Sequence, residues 1–76
     1  MNKTKKAIFN AAIKVFSIEG YDSATVEEIA SEAGVAKGTL YYNFQGKEEI
    51  FKFVIDEGMK LITTSVSRLH QASEGT

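Results

Sequence analysis

Apolar positions recur along this chain at helical spacing. Ile8, Ala11, Ala12, Val15 and Phe16 fall at i, i+3, i+4, i+7 and i+8, one stripe of an amphipathic helix. Phe9 and Ile13 widen the stripe, and Gly20 stands where a C-terminal cap belongs. The pattern predicts helix 1 over about 4–19, central in the domain. After a loop at Tyr21-Asp22-Ser23-Ala24, Thr25 and Glu28 have capping-box spacing, with acids at the positive end of a helix dipole. Val26, Ile29, Ala30 and Ala33 mark a buried face and Gly34 ends it, so helix 2 is expected over about 25–33. A third helix, about 36–44, carries Lys37-Gly38-Thr39-Leu40-Tyr41-Tyr42-Asn43-Phe44. Gln45-Gly46 breaks the chain again. Helix 4 opens at Lys47-Glu48-Glu49 and carries Ile50, Phe51, Val54, Ile55, Met59, Ile62, Val66 and Leu69 as one long stripe over 47–69. Residues 70–76 are expected as a disordered tail. The fold class is all-α: a three-helix head over about 4–50 followed by a long connecting helix.

Two features of this pattern ask for a cause. Glycine inside a helix costs about 1 kcal/mol against alanine. Gly38 therefore implies a frayed first turn, a close helix crossing, or close approach of the backbone to a ligand. The stripe from Met59 to Leu69 also exceeds what a three-helix core can cover, and uncovered apolar surface of that kind marks a missing partner.

Composition narrows the chemistry. The chain has 76 residues, room for one small domain. It has no cysteine, which excludes a disulfide framework, a zinc knuckle and a thiol nucleophile. A lone His70 builds neither a histidine-rich metal site nor a standard triad. No metal, cofactor or enzymatic activity is expected, because no nucleophile-and-base constellation is present. No apolar run approaches the ~20 residues that cross a bilayer, and the basic start lacks a signal peptide's apolar stretch. An intracellular protein with no membrane partner is expected.

The net charge is −1, but its distribution is uneven. Residues 1–18 hold Lys3, Lys5, Lys6 and Lys14 and no acid. Residues 19–35 hold Glu19, Asp22, Glu27, Glu28 and Glu32 and no base. Residues 36–47 hold Lys37 and Lys47 and again no acid. Two basic segments in a nearly neutral chain make either a binding face, if they meet in space, or ordinary solvated surface.

The span Thr25–Phe44 meets the physical requirements of a helix-turn-helix. A small residue, Ala30, permits a tight crossing. Gly34 permits positive φ at the turn, and Val35, Leu40 and Phe44 anchor the second helix. Such a helix places its N-terminal residues on base edges in the major groove. Many helical hairpins share this spacing, so a protein-contact use of the same module stands as the alternative reading.

Four blocks go further: Phe16-Ser17-Ile18-Glu19-Gly20-Tyr21, Thr25-Val26-Glu27-Glu28-Ile29-Ala30, Ala33 through Phe44, and Gly46-Lys47-Glu48-Glu49-Ile50-Phe51. Together they closely resemble the N-terminal DNA-binding region of TetR-family transcriptional regulators, continuously over about residues 5–55. The resemblance implies a homeodomain-like head that binds double-stranded DNA at a palindromic operator. It also implies a homodimer formed through a C-terminal domain absent from these 76 residues, and release by a small-molecule effector bound there. A cytoplasmic, nucleoid-associated repressor is the expected whole. Helix 4 is the family's connection between effector binding and head separation, which fits the unpartnered stripe.

Residue by residue, the resemblance nominates Thr25, Val26, Ala36, Lys37, Gly38, Thr39, Tyr41, Tyr42, Asn43 and Lys47 as DNA contacts. Lys37 suits a guanine edge or a phosphate, and Thr39 a thymine methyl, a base or a phosphate. Tyr41 and Tyr42 point about 100° apart, which disfavours burying both rings, and their hydroxyls suit phosphates, with partial packing on helix 1 the alternative for Tyr41. Lys47 opens a helix whose free N–H groups already favour an anion. Thr25 is expected as both cap and phosphate contact. Val26 fits sugar-phosphate contact and core packing equally, and Lys5 and Lys6 suit phosphate or solvent. The sequence departs from the common family pattern at Ala36, often serine; at Asn43, often histidine; and at Gln45-Gly46, often richer in capping or basic groups.

Overall fold

The computed structural model describes the backbone of residues 1–74 and the side chains of residues 1–60. Among the described residues the chain forms four α-helices and no strand: α1 (Lys3–Ser23), α2 (Val26–Ala33), α3 (Lys37–Asn43) and α4 (Lys47–Glu74).

Local chemistry fixes most boundaries. Asn2 caps α1, its side-chain oxygen accepting from the Lys5 N–H at 2.7 Å. Gly20 was expected to end this helix. It interrupts the helix instead, at φ 79° and ψ 162°, and one more turn follows before Ala24, whose N–H donates to the Gly20 carbonyl at 3.1 Å. The extra turn has a packing cause: the Tyr21 ring lies 5.7 Å from Phe16 and 4.9 Å from Phe51, centroid to centroid. Thr25 caps α2 in a full capping box with Glu28.

The α2–α3 turn is a Schellman motif. Gly34 takes the left-handed conformation (φ 71°, ψ 29°). Its N–H donates to the Ser31 carbonyl at 3.2 Å, and that of Val35 to Ala30 at 3.1 Å. Helix α3 runs between Ala36 and Phe44, its two caps, and Ala36 makes no side-chain capping bond.

The core takes one large, fully sealed side chain from each helix: Ile8, Ile29, Leu40 and Ile50, all at 0% exposure. Ala11, Ala12, Val15, Ala24, Val26, Ala30 and Phe44 surround them, with Phe16, Val35, Phe53 and Val54 partly buried against the cluster. Lys14 pairs with Glu32 at 2.6 Å across α1 and α2.

Helix α4 passes the expected end of helix 4 and continues through residues 70–74, which had been expected as tail. Gln71, Ala72 and Glu74 are competent helix formers, and no glycine or proline intervenes before Gly75. Gly75 and Thr76 lie outside the described residues, as do the side chains of Ile62, Val66 and Leu69. Of the described stripe, Ile50 is sealed, whereas Phe51, Ile55 and Met59 are exposed. No described helix is long and apolar enough to cross a membrane.

Candidate nucleic-acid interface

Helix α3 is too short to be stable alone, so its orientation is set entirely by what it buries. Leu40 and Phe44 share one i, i+4 column and face the core. That leaves three neighbouring columns outward: Lys37 below Tyr41, Gly38 below Tyr42, and Thr39 below Asn43. Six of the nominated residues thereby lie off the buried column, spread around the rest of the α3 circumference with Gly38 and Tyr42 opposite the core.

Their exposure separates them. Tyr42 is 91% exposed, an aromatic ring in open solvent, while Tyr41 is 42% exposed. The Lys37 ammonium lies 5.9 Å from the Tyr41 ring centroid. Asn43 turns its amide back on its own helix, donating to the Thr39 carbonyl at 2.8 Å, which leaves its side-chain oxygen to accept. A Cβ built on Gly38 would meet nothing within 4 Å. A close helix crossing therefore does not account for that glycine.

The first turn of α2 stands beside the first turn of α3. Glu27 and Lys37 join them at 3.0 Å, both side chains more than half exposed. This hydrogen-bonded ion pair holds the Glu27 carboxyl below the ordinary glutamate range and the Lys37 ammonium above the ordinary lysine range. Thr25 accepts from the Glu28 N–H at 3.1 Å and donates to the Glu28 carboxylate at 2.9 Å. The neighbouring Glu28 carboxyl raises Glu19, because a protonated Glu19 can donate to it, and the same proton sharing lowers Glu28, which Thr25 lowers further.

Two nominated side chains are placed elsewhere. Val26 is 7% exposed and belongs to the core, so only its main chain remains for a phosphate. The Lys47 ammonium donates to the Tyr21 carbonyl at 2.7 Å and the Asp22 carbonyl at 3.3 Å, and lies 4.4 Å from the Tyr21 ring centroid. It joins the start of α4 to the end of α1. Glu49 also accepts from the Gln45 N–H at 3.0 Å, so the entry to α4 already holds a carboxylate. Ala36 is exposed at the head of α3. Glu27 and Tyr21, the partners of the two lysines, were absent from the expected set. They lie 10 and 26 positions from those lysines, and no local pattern links them.

Among the described residues no cluster of histidine, cysteine, aspartate or glutamate could hold a metal ion. The arrangement is a short, externally presented helix with hydroxyl, amide and ammonium groups outward, locked at a fixed angle by a left-handed glycine turn. Such an arrangement defines a helix-turn-helix reader.

Comparison with known proteins agrees. Residues 8–54 match the family described as bacterial regulatory proteins, tetR family, and the chain belongs to that family. The transcriptional regulator SrpR of Pseudomonas putida is 40% identical over 53 residues, covering 70% of this chain and 25% of its own length. The negative transcriptional regulator IcaR of the icaADBC biofilm operon in Staphylococcus epidermidis is 32% identical over 66 residues, covering 87% of this chain and 36% of its own.

Among solved structures, a Clostridium perfringens protein provisionally named a fatty acid metabolism regulator is 56% identical, with a TM-score of 0.79 over 84% of this chain and 35% of its own. The fatty acid degradation regulator FadR of Bacillus halodurans reaches a TM-score of 0.87 at 32% identity, over 91% and 36%. The chain thus spans about a quarter to a third of these relatives.

Proposed function

We propose that this chain is the DNA-reading head of a transcriptional repressor, and that α3 enters the major groove. One observation carries the reading. The outward face of α3 presents Tyr42 almost fully to solvent beside Gly38, whose missing side chain relieves no contact within the protein. A surface ring and an uncrowded helical glycine are accounted for together by a close-approaching external surface.

In this reading Lys37, Thr39 and Asn43 address base edges. Tyr41, Tyr42 and Thr25 address phosphates, with Lys5 and Lys6 adding charge from the N-terminal side. Ala36, Gly38 and Val26 contribute through the main chain. Lys47 contributes the N–H groups at the start of α4 and its remaining ammonium hydrogen. The whole protein acts in the cytoplasm as a homodimer on a palindromic operator, its two heads about one helical turn (~34–36 Å) or a multiple apart. A small-molecule effector binds outside these residues. The Bacillus subtilis FadR structure, 35% identical with a TM-score of 0.78, holds stearoyl-CoA, and this supports a fatty-acyl thioester as the effector class.

The test is an amide-NMR titration with a mixed-sequence duplex at low salt, followed by added salt. Salt-reversible shifts at Thr25, at 37–43 and at Lys47 are expected, with a log–log affinity slope of roughly −0.9 per phosphate. A folded protein without such shifts overturns the reading in favour of protein contact.

A further inference from the structure

Lys37 is the cation that the reading face presents at the head of α3, yet its ammonium is held 3.0 Å from the Glu27 carboxylate. The fold does not need this contact. The α2–α3 angle is set by Gly34, by the Val35–Ala30 hydrogen bond and by the sealed Leu40. An exposed ion pair adds little to stability. Glu28, next in the chain, has a capping task, and an acid in the first turn of α2 would favour the helix dipole without reaching Lys37. A carboxylate on a surface meant for a polyanion works against binding in general.

We propose that Glu27 sets the sequence selectivity of the DNA-reading face by acting through Lys37, withholding the lysine's charge from phosphates while leaving its N–H groups for a base edge. This rests on the DNA-reading function proposed above. An ammonium carries three N–H donors, and Glu27 takes one. Two remain, matching the N7 and O6 acceptors of guanine. The pair has no net charge, so it displaces no counterion on an arbitrary duplex, and non-specific affinity is reduced. Base-edge hydrogen bonds depend on geometry rather than net charge and survive the pairing. Glu27 is a positioning residue in this scheme, not a base contact.

The experiment compares the protein with E27Q, K37Q and the double variant. Fluorescence anisotropy is read across a KCl series on an operator selected with the wild-type protein and on a scrambled duplex of equal length. E27Q is expected to stay folded and to melt within a few degrees of the wild type, as loss of one exposed dipole-favouring charge implies. It should bind the scrambled duplex about five- to ten-fold tighter near 0.1 M salt, with a log–log slope steeper by about 0.9 per head, as one new phosphate contact requires. The operator-to-scrambled ratio should fall, and in the double variant both changes should vanish relative to K37Q.

An unchanged ratio and slope in E27Q overturns the proposal. So does loss of operator affinity alone, which would make Glu27 itself a base reader, or persistence of the effect in the K37Q background, which would make it a simple repulsive charge. Failure of the wild type to bind either duplex instead overturns the DNA-reading function, and this inference falls with it.

Discussion

Lys47 holds Tyr21 twice, donating to its carbonyl at 2.7 Å while its ammonium lies 4.4 Å from the ring centroid. The pairing closes the exposed carbonyls at the end of α1 with the first residue of α4, and the Tyr21 ring continues into Phe16 and Phe51. Lys47→Met keeps the stem and removes the ammonium. A partly buried charged hydrogen bond with an aromatic contact is worth about 1–2 kcal/mol here. A fall in Tm of roughly 5–10 °C follows for a domain this size. Thermal unfolding followed by circular dichroism checks it, and an unchanged Tm would show the clamp to be idle.

Tyr42 should separate stability from binding. At 91% exposure, Tyr42→Ala is expected to change stability by no more than about 0.5 kcal/mol. It should weaken duplex binding at least about five-fold, as loss of a charge-assisted hydrogen bond implies. Tyr42→Phe, which lacks only the hydroxyl, should show most of that loss if the contact is to phosphate. Paired melting and anisotropy measurements read both quantities.

Two substitutions on α3 are expected to stabilise the fold with opposite effects on DNA. Ala36→Ser supplies the missing N-cap and should add about 0.5–1 kcal/mol, with binding kept or improved. Gly38→Ala meets no clash and should add up to about 1 kcal/mol. On the proposed groove contact the new methyl meets the duplex, so binding should fall by about ten-fold, the equivalent of a modest overpacking cost. Denaturant unfolding gives the first quantity and anisotropy the second. A Gly38→Ala variant that binds as the wild type would remove the close-approach explanation.

Acid titration should resolve the Glu19–Glu28 pair. Glu28 is held below the ordinary glutamate value of 4.5, so its stabilising contribution is present above that value and is lost as pH falls through its folded pKa. Glu19 is raised, so its contribution has the opposite sign, present below 4.5 and lost as pH rises through its folded pKa. In Tm measured against pH, Glu19→Gln should flatten the profile just above 4.5. Glu28→Gln keeps an acceptor for the Thr25 cap and should flatten both sides, because it removes the partner as well. Superimposable profiles would show that the two carboxyls do not interact.

The features legible in the sequence are those decided within four or five residues. The Thr25–Glu28 box and the left-handed Gly34 follow from local spacing, as does the placement of Leu40 and Phe44 on a buried column. The exposure of at least one of Tyr41 and Tyr42 follows from the same column, since Leu40 and Phe44 take the buried side. Val26 stood on the buried face by its spacing, and its 7% exposure decides between the two readings the sequence allowed. The features that were not legible depend on how helices meet. The α1–α4 approach captures Lys47, and the α2–α3 angle brings Glu27 to Lys37. Gly20 was readable as a break, but the turn beyond it depends on Phe51, thirty-one positions away.

The four large sealed side chains, one to a helix, also impose an order on synthesis. A seven-residue helix such as α3 has no independent stability, and it is fixed only when Ile8, Ile29, Leu40 and Ile50 are packed together. Ile50 is the last of these to leave the ribosome. A nascent chain that already contains every residue of the reading face therefore cannot present that face until the first turn of α4 has emerged. The fold thus couples the presentation of α3 to the opening turn of the helix that follows it.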